Sequence, residues 1–296
     1  MDERDRLAER FEEQRERLTA VAYRMVGSRG EAEDAVQETW LRLARVDPAE
    51  VDNLPAWLRT VLTRICLDLL RSRRARPEDL TDQVPDGSAR AAGPARPDGD
   101  PEEEALLADS VSRALLVVLD TLDPAERIAF VLHDMFAVPF AQIAPIVARS
   151  PAATKKLGSR ARQKVQGTPV VPSALLTQQR RVVSAFLTAA RAGDLAGVLS
   201  VLAPDAVRYA DAAARPAGAP AVIRGAQAVA EGTVLLAARS RQADLALING
   251  TVGLIVAPAG RLRFALTFAI EGDRITEYTV IADPERLDGL SLAVLE

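Results

Sequence analysis

One stretch without any apolar period divides this chain and limits what it can fold into. Residues 76–101, RPEDLTDQVPDGSARAAGPARPDGDP, are rich in proline, glycine, alanine and aspartate. Such a segment has too few large apolar side chains to build a core, and it is typical of a flexible linker. A shorter break, GTPVVPS, follows at residues 167–173. We therefore predict three folded units, residues 1–76, 105–166 and 175–296, joined by an acidic linker over 77–104 and a short one over 167–174.

The rest of the chain is apolar enough to bury cores. Of its 296 residues, 48% are hydrophobic and 26% are charged, and this length suits two or three domains. The charged N-terminus lacks the apolar centre of a signal peptide, and no run of about 18 uncharged apolar residues is present. We therefore expect a cytoplasmic protein without a membrane contact. A single cysteine, Cys66, and a single histidine, His133, exclude a disulfide framework and a Cys/His zinc site, so no metal or cofactor is predicted.

Helical periodicity dominates the first two units. In the first unit, three amphipathic helices are predicted, and the third begins at Asn53, a favourable N-cap. In the second unit, Asp123 and Glu126 form a capping-box-like start around Pro124. A short helix, a tight turn and a helix opened by Pro151 then have the form of a helix-turn-helix.

The third unit mixes helices with strands. Two predicted helices are followed by five strand-like runs, AVRYADA, ADLALI, TVGLIVAP, RLRFALTFAI and RITEYTVIA. Hairpin signals separate the last four runs, at Asn249-Gly250, at Pro258–Gly260 and at Glu271–Asp273. This order of elements predicts an α+β cone. The predicted fold class is therefore multidomain, with two all-α units followed by one α+β domain.

Positive charge is concentrated in the predicted helix-turn-helix. Residues 77–126 carry 13 acidic and three basic side chains, whereas residues 127–166 carry seven basic and one acidic. The helix after Pro151 contains no acid, and lysine and arginine on a helix in the major groove reach phosphates and guanine edges. The alternative is a solvated basic face on an ordinary helical hairpin, although such faces usually mix signs. The residues predicted to face outward are Lys155, Lys156, Ser159, Arg160, Arg162, Gln163 and Lys164.

A second surface for nucleic acid is predicted on the third helix of the first unit. Trp57 and Arg59 offer an aromatic plane and a cation at the start of this helix. Such a pair suits unstacked single-stranded bases, which stack on aromatic rings for about 1–3 kcal/mol each. The alternative places Trp57 in the core. Two DNA contacts on separate modules favour a protein that touches two separated promoter elements.

Three segments closely resemble the extracytoplasmic-function (ECF) RNA polymerase sigma factors of the sigma-70 family. They are SRGEAEDAVQETWLRL, NLPAWLRTVLTRICLDLLRSRRAR and LDPAERIAFVLHDMFAVPFAQIAPIVARSPAATKKLGSRARQKV, and the resemblance covers residues 5–166. It implies that the first unit, σ2, binds core RNA polymerase and melts the −10 element, and that the second, σ4, reads the −35 element. The implied partners are promoter DNA and the β′ clamp helices and β flap of the polymerase, with the linker threading through the core enzyme.

The same resemblance implies individual site residues. The residues implied to contact the β′ clamp helices are Glu33, Asp34, Val36, Gln37 and Glu38. Contacts to the −10 strand fall to Asn53, Trp57, Arg59, Thr63, Arg64, Arg71, Arg73 and Arg74. Contacts to the −35 major groove fall to Ser150, Ala153, Thr154, Lys155, Lys156, Ser159, Arg160, Arg162, Gln163 and Lys164.

The residues after 166 are similar to the SnoaL-like branch of the NTF2 fold, which a subgroup of these sigma factors carries as an extension. The subgroup's DGGGK-like loop corresponds to DAAAR, and its NPDKL-like motif corresponds to DPERL. DAAAR lacks the glycines, and alanine disfavours positive φ, which argues against the usual loop conformation. The resemblance implies that the extension contacts σ2 and regulates activity through Asp211, Arg215, Asp283, Pro284 and Leu287.

The extension has no evident catalytic set. Residues 167–296 contain no histidine and no cysteine, and Tyr209, Asp211, Asp244 and Tyr278 show no paired arrangement for acid–base chemistry. We therefore predict a sigma factor with a regulatory domain, not an enzyme. Two alternatives stay open, a helix-turn-helix repressor with a ligand-sensing cone and a SnoaL-like enzyme fused to DNA-binding helices. Because a cone is concave, binding of a small-molecule ligand in it is a further open alternative.

Overall fold

The structure, a computed structural model, describes residues 3–47, 50–75, 113–216 and 218–295. These residues form two compact units. The first, which we call the helical unit, contains the described residues up to 75 together with residues 122–161. The second, which we call the cone unit, contains residues 113–121 and 162–295. The linker predicted at residues 77–104 lies outside the described residues.

Three amphipathic helices begin the helical unit. The side-chain oxygen of Asn53 accepts a hydrogen bond from the backbone N–H of Ala56 at 3.1 Å, which confirms Asn53 as an N-cap. Leu58 and Leu62, four residues apart on the apolar face of the third helix, are fully buried. Cys66 is buried beside them, and burial raises the pKa of its thiol to about 12, so that it stays protonated and unreactive. The helices are α1, Glu3–Val26; α2, Arg29–Leu43; and α3, Leu54–Ala75.

The chain then contributes one helix to the other unit before it returns. Helix α4, Arg113–Asp120, belongs to the cone unit, and the helical unit resumes with α5, Pro124–Phe130. Pro124 opens α5 as predicted, but the Asp123 side chain makes no capping hydrogen bond. The predicted capping box is therefore wrong. The Glu126 carboxylate is buried and forms an ion pair with the guanidinium of Arg160, 3.7 Å away.

The predicted helix-turn-helix is present. A π-helical turn, Val131–Met135, leads to α6, Phe140–Ile143, and to α7, Pro151–Gln166. Helix α6 ends before Pro145, since a proline beyond the first turn removes a helical hydrogen bond. The residues of α7 up to Ala161 belong to the helical unit, and the rest belong to the cone unit.

The cone unit combines helices with one mixed sheet. The sheet has seven strands in the order β2-β1-β6-β5-β4-β3-β7, with β1 and β6 parallel and the other neighbouring pairs antiparallel. This architecture confirms the predicted α+β cone, although the short strands β2 and β7 were not predicted. Its elements are α8, Ser173–Ala192; α9, Leu195–Val201; β1, Leu202–Ala210; β2, Val222–Arg224; α10, Ala226–Val234; α11, Ala237–Ser240; β3, Ala243–Ile248; β4, Thr251–Val256; β5, Phe264–Glu271; β6, Arg274–Ile281; α12, Pro284–Asp288; and β7, Leu292–Ala293.

The predicted hairpins fix the register of the sheet. Ile248 pairs with Thr251, so the β3–β4 loop is the two-residue turn Asn249-Gly250, with φ of 50° and 81°. Both values are positive, as a type I′ hairpin turn requires. Glu271 pairs with Arg274 across the second hairpin. The register in turn decides which side chains face the core between the sheet and α8.

Candidate nucleic-acid interface and cone cavity

Helix α7 has one packed face and one exposed basic face. Gly158 and Ala161 lie on the packed face, where a Cβ added to Gly158 would come within 2.9 Å of the Phe140 ring. The close contact with α6 therefore favours glycine at this position. Lys155 and Lys156 are exposed on the other face, as are Ser159, Arg160, Gln163 and Lys164, whereas Arg162 is half-buried.

Two residues at the start of α7 serve the helix itself. The Ser150 hydroxyl oxygen accepts a hydrogen bond from the backbone N–H of Ala153 at 3.2 Å. Thr154 is completely buried, and its hydroxyl donates to the Ser150 carbonyl oxygen at 3.0 Å. The burial of Thr154 argues against the −35 contact that the resemblance implied for it. Its position three residues before Leu157 and seven before Ala161 continues the packed stripe.

The basic face is balanced at one position by an acid from another helix. Arg160 keeps 63% of its side chain exposed, while the Glu126 carboxylate 3.7 Å away is only 3% exposed. A buried carboxylate needs a charged or hydrogen-bonding partner. Arg160 therefore serves the packing of α5 against α7 as well as the exposed face.

Part of the predicted −10 set comes together along one side of α3. Asn53, Trp57 and Arg64 line an open groove of about 330 Å³. Trp57 is half-buried in the wall of this groove, so it is neither a core residue nor a fully exposed one. An aromatic ring and a guanidinium along one groove can stack on and neutralise an unpaired nucleotide, although Glu50 and Asp52 line the same groove.

The other predicted −10 residues have different surroundings. Arg59 donates to the Gln142 side-chain oxygen at 2.9 Å, and burial, reinforced by repulsion from Arg17, lowers the pKa of its guanidinium. Thr63 is buried and donates to the Arg59 carbonyl oxygen at 2.7 Å, so the structure corrects its assignment to the surface.

Two of the three arginines at the C-terminal end of α3 form ion pairs with other parts of the helical unit. Arg73 forms an ion pair with Glu31 and donates to the Val26 carbonyl oxygen at 2.7 Å. Arg74 forms an ion pair with Asp123. Arg71 is exposed, with its guanidinium 3.8 Å from the Asp68 carboxylate. Of these three arginines, Arg73 has both an ion pair and a backbone hydrogen bond, which indicates that it stabilises the fold.

The acidic residues predicted to meet the polymerase lie on α2. Glu33, Asp34 and Gln37 are exposed, and Glu38 is half-buried. Two of the carboxylates have basic neighbours one turn away, Glu33 with Arg29 and Glu38 with Arg42, each at 2.8 Å. Val36 is 1% exposed in the core of the helical unit, so the structure does not allow it as a surface contact.

The two motifs of the extension meet in the cone unit. One Asp211 carboxylate oxygen accepts the backbone N–H groups of Ala282 and Asp283, each at 2.9 Å, and the other accepts that of Ala214 at 2.8 Å. The Arg286 guanidinium lies 3.5 Å from the same carboxylate. The alanines of DAAAR are not among the described residues with positive φ, as expected without glycines.

The remaining residues of these motifs stabilise the two segments that Asp211 connects. The Asp283 side chain accepts the backbone N–H of Arg286 at 3.1 Å and caps α12, with Pro284 in its first turn. Leu287 is buried, and Arg215 donates to the Ala219 carbonyl oxygen. The five predicted regulatory residues thus lie on two segments joined by Asp211.

A cavity of about 80 Å³ lies inside the cone. Its wall is largely apolar, with Arg208, Thr233 and Tyr278 among the polar exceptions. Asp244 does not line this cavity and forms ion pairs with Arg113 at 2.8 Å and Arg191 at 3.5 Å. Among the residues that the structure describes, no cluster of His, Cys, Asp and Glu is arranged to hold a metal ion.

Arg208 is the cavity residue that sequence reasoning missed. It is 8% exposed and lies between Ala206 and Ala210 on the inward side of β1. The alternation of AVRYADA carried a signal, because Ala206, Arg208 and Ala210 share one face of a strand. The same alternation puts Tyr209 on the opposite face.

Comparison with known proteins identifies the family. Sigma-70 region 2 matches residues 11–76, and Sigma-70, region 4, matches residues 112–165. The protein described as "Probable ECF RNA polymerase sigma factor SigI" of Mycobacterium tuberculosis is 34% identical over 296 residues, and the match covers 98% of each chain. The chain belongs to the ECF sigma factors. ECF sigma factor SigJ of M. tuberculosis is 36% identical over 299 residues, covering 95% of this chain and 93% of SigJ.

The full-length matches extend the assignment beyond the two sigma regions. Because SigI and SigJ match over nearly the whole sigma factor, they share its C-terminal part as well. A crystal structure of M. tuberculosis SigJ matches with 31% identity and a TM-score of 0.44, covering 95% of this chain and 98% of SigJ. In the described part of this sigma factor, no helix is both long and apolar enough to cross a membrane.

Proposed function

We propose that this ECF sigma factor binds core RNA polymerase and directs it to a set of promoters, while its cone unit regulates that activity. The observation that carries the proposal is the exposed basic face of α7, which lies in the segment matched by Sigma-70 region 4. Transcription is a cytoplasmic process in bacteria, and we place the protein there with the polymerase.

Helix α7 is proposed to enter the major groove of the −35 element. Its packed face, held by Gly158 and Ala161, leaves Lys155 and Lys156 exposed and directed away from the rest of the helical unit. Contacts from lysine to phosphates position a helix in the groove, whereas contacts to base edges read the sequence. The lysines are therefore expected to supply affinity, with Ser159, Arg160 and Gln163 nearest to the bases.

The α3 groove is proposed to hold an unstacked base of the −10 element. The half-buried ring of Trp57 forms one wall, and Asn53 and Arg64 supply a hydrogen-bonding group and a cation on the same side. This arrangement supports stacking with neutralisation of the adjoining phosphate. The burial of Thr63 and the ion pair of Arg73 argue that these two residues support the helix instead.

The exposed acids of α2 are proposed to bind the β′ clamp helices, and the region 4 segment to bind the β flap. Glu33 and Asp34 lie next to each other on the surface, where they form an acidic patch for a basic partner. The acidic linker at residues 77–104 is proposed to thread through the core enzyme, where a negative chain imitates nucleic acid.

The cone unit is proposed to act as a regulator that contacts σ2, and not as an enzyme. Asp211 is engaged with three backbone N–H groups and Asp244 with two arginines, so neither is available as a general base. Burial raises the pKa of the Tyr278 hydroxyl, which disfavours proton transfer by this residue at neutral pH. The full-length similarity to SigI and SigJ favours a sigma factor over a stand-alone repressor.

Binding of the full chain to core polymerase tests the polymerase interface. We expect Asp34→Lys to weaken binding of the labelled protein to core enzyme at least about tenfold, because it reverses a charge in the proposed interface. Glu13→Lys, which reverses an exposed acid on α1, is the matched control and should bind as the unchanged chain does. Equal binding of all three proteins would contradict the assignment of α2.

A further inference from the structure

We propose that the cone cavity binds a small carboxylate with a compact aliphatic body, held by the guanidinium of Arg208. The binding is a property of the cone unit alone. Only an effect of the ligand on transcription would rest on the proposed function of the whole chain.

Arg208 lies on the inner face of the sheet, beneath the cavity. Arg208 pairs in register with Tyr278 on the neighbouring parallel strand, and Tyr278 pairs with Phe268 on the next strand. These residues form one row across the inner face of the sheet. The small side chains of Ala206 and Ala210 on either side of Arg208 leave space above the sheet, and the cavity occupies part of that space.

The positive charge of Arg208 is buried without a negative partner among the described residues. Its side chain is more than nine-tenths buried, and its Nε has no hydrogen-bond partner. No acidic side chain among the described residues forms an ion pair with it. A buried charge is strongly unfavourable unless an opposite charge compensates it. The arrangement therefore lacks one negative charge, which a bound anion would supply.

The neighbouring hydroxyl does not supply that charge. The Tyr278 hydroxyl is 2.8 Å from the Thr233 hydroxyl, and both line the cavity together with Arg208. Burial raises the pKa of Tyr278 above its ordinary value even though Thr233 and Arg208 both act to lower it. Tyr278 is therefore neutral at physiological pH, and because the Thr233 hydroxyl donates to the Val229 carbonyl oxygen at 2.8 Å, the Tyr278 hydroxyl donates to Thr233.

The shape and chemistry of the cavity wall limit the kind of anion that fits. Phe186, Leu187, Leu254, Val256 and Leu266 line the cavity, so the body of the ligand must be apolar. A carboxylate is planar and can accept two parallel hydrogen bonds from one guanidinium, and its single charge matches one arginine. A cavity of about 150 Å³ holds benzene, and this one has about 80 Å³, so we expect a ligand of about two to four carbons.

Ligand-detected NMR on the full chain tests the proposal with propionate as the probe. We expect saturation transfer to propionate and none to propionamide, which has nearly the same shape but no charge. Arg208→Met should weaken propionate binding at least about tenfold, because it keeps the apolar stem and removes the cation. Arg224→Gln is the matched control, since Arg224 is an exposed arginine on the adjacent strand, and its affinity should not change.

Two further measurements exclude a merely structural role for Arg208. If Arg208 only stabilised the fold, Arg208→Met would lower the melting temperature and propionate would leave the melting temperature of the unchanged chain the same. We expect instead that propionate raises the melting temperature of the unchanged chain and not that of Arg208→Met. Should Arg208→Met fail to fold, Ala210→Val keeps the charge, fills the cavity and should also abolish binding.

Three outcomes would overturn the proposal. The first is equal binding of propionate and propionamide. The second is an unchanged affinity for propionate in Arg208→Met and in Ala210→Val. The third is binding of chloride with no binding of propionate. Promoter transcription without any added ligand is measured in parallel. A chain that binds propionate but does not support transcription would contradict the proposed sigma function, whereas active transcription without propionate binding would contradict the cavity proposal alone.

Discussion

The carboxylate of Asp211 accepts a hydrogen bond from the backbone N–H of Asp283 at 2.9 Å. This bond ties the DAAAR segment after β1 to the DPERL segment after β6, 72 residues further along the chain. Asp283 in turn caps α12 through its own side chain. One carboxylate therefore organises both segments that the sequence marked as regulatory.

The first prediction concerns Asp211 and stability. Asp211→Asn should lower the free energy of unfolding of the cone unit by about 1–2 kcal/mol at pH 7, because an amide accepts less strongly and loses the attraction of Arg286. Thermal unfolding of the full chain checks this. Asp205→Asn is the control, since Asp205 is exposed on the same strand, and it should change stability by less than about 0.5 kcal/mol.

The second prediction is the pH dependence of that contribution. Burial alone would raise the pKa of Asp211, but the hydrogen bonds from Asp283, Ala282 and Ala214, with the attraction of Arg286, lower it below the ordinary 3.8. A carboxylate with a lowered folded-state pKa stabilises the protein above its unfolded-state pKa, and the contribution is lost as pH falls through the folded-state value. The stability difference between the unchanged chain and Asp211→Asn should therefore shrink below about pH 4. A difference that grew on acidification would contradict this account.

The third prediction separates DNA contact from packing on α7. Lys155→Ala should weaken binding of the polymerase complex to a duplex promoter by about 1 kcal/mol and reduce its salt dependence, with core binding unchanged. Arg160→Ala should also destabilise the helical unit, because it leaves the buried Glu126 carboxylate without this partner. Promoter binding at several salt concentrations, with unfolding measured alongside, distinguishes the two residues. Loss of core binding in Lys155→Ala would show that α7 is misassigned.

The fourth prediction concerns base stacking on Trp57. Trp57→Ala should weaken binding of the polymerase complex to a single-stranded −10 oligonucleotide by about 1–3 kcal/mol, whereas Trp57→Phe should lose much less. A fluorescence-anisotropy titration with the oligonucleotide gives both values. If the alanine and phenylalanine variants bound alike, the ring would not stack on a base and Trp57 would only support the groove.

The fifth prediction concerns the basic end of α3. Arg73→Ala should reduce the free energy of unfolding of the helical unit by about 1–2 kcal/mol, because it breaks an ion pair with Glu31 and a hydrogen bond to Val26. Arg71→Ala should cost less than about 0.5 kcal/mol, since its contact with Asp68 is exposed. Denaturant unfolding of the two variants compares these effects directly. Equal losses in both would contradict the structural role of Arg73.

Local signals in the sequence predicted several features correctly. The side chain of Asn53 needs only residues within one turn to cap a helix, and the Asn249-Gly250 turn needs only backbone freedom at two positions. The boundary between the packed and exposed faces of a helix is harder to predict. Thr63 and Thr154 are polar, but both are buried, because each hydroxyl bonds to a carbonyl one turn earlier.

Features that depend on partners distant in sequence were not predictable. The capping box at Asp123 fails because the Asp123 carboxylate pairs with Arg74, which lies 49 residues earlier in the chain. Val36, by contrast, was predictable, because its helical spacing from Ala32 and Leu43 predicts it inward, against the polymerase contact that the resemblance implied, and the structure buries it. Arg208 was missed because an arginine on the inner face of a strand has meaning only once the opposite wall of the cavity is known.

Run-off transcription with purified core RNA polymerase and the full chain tests the central claim most directly. The account predicts discrete transcripts from a cognate promoter that require both the core enzyme and this protein, and that decrease in Lys155→Ala and in Trp57→Ala. Promoter binding by the protein alone with no transcripts upon addition of core enzyme would contradict it.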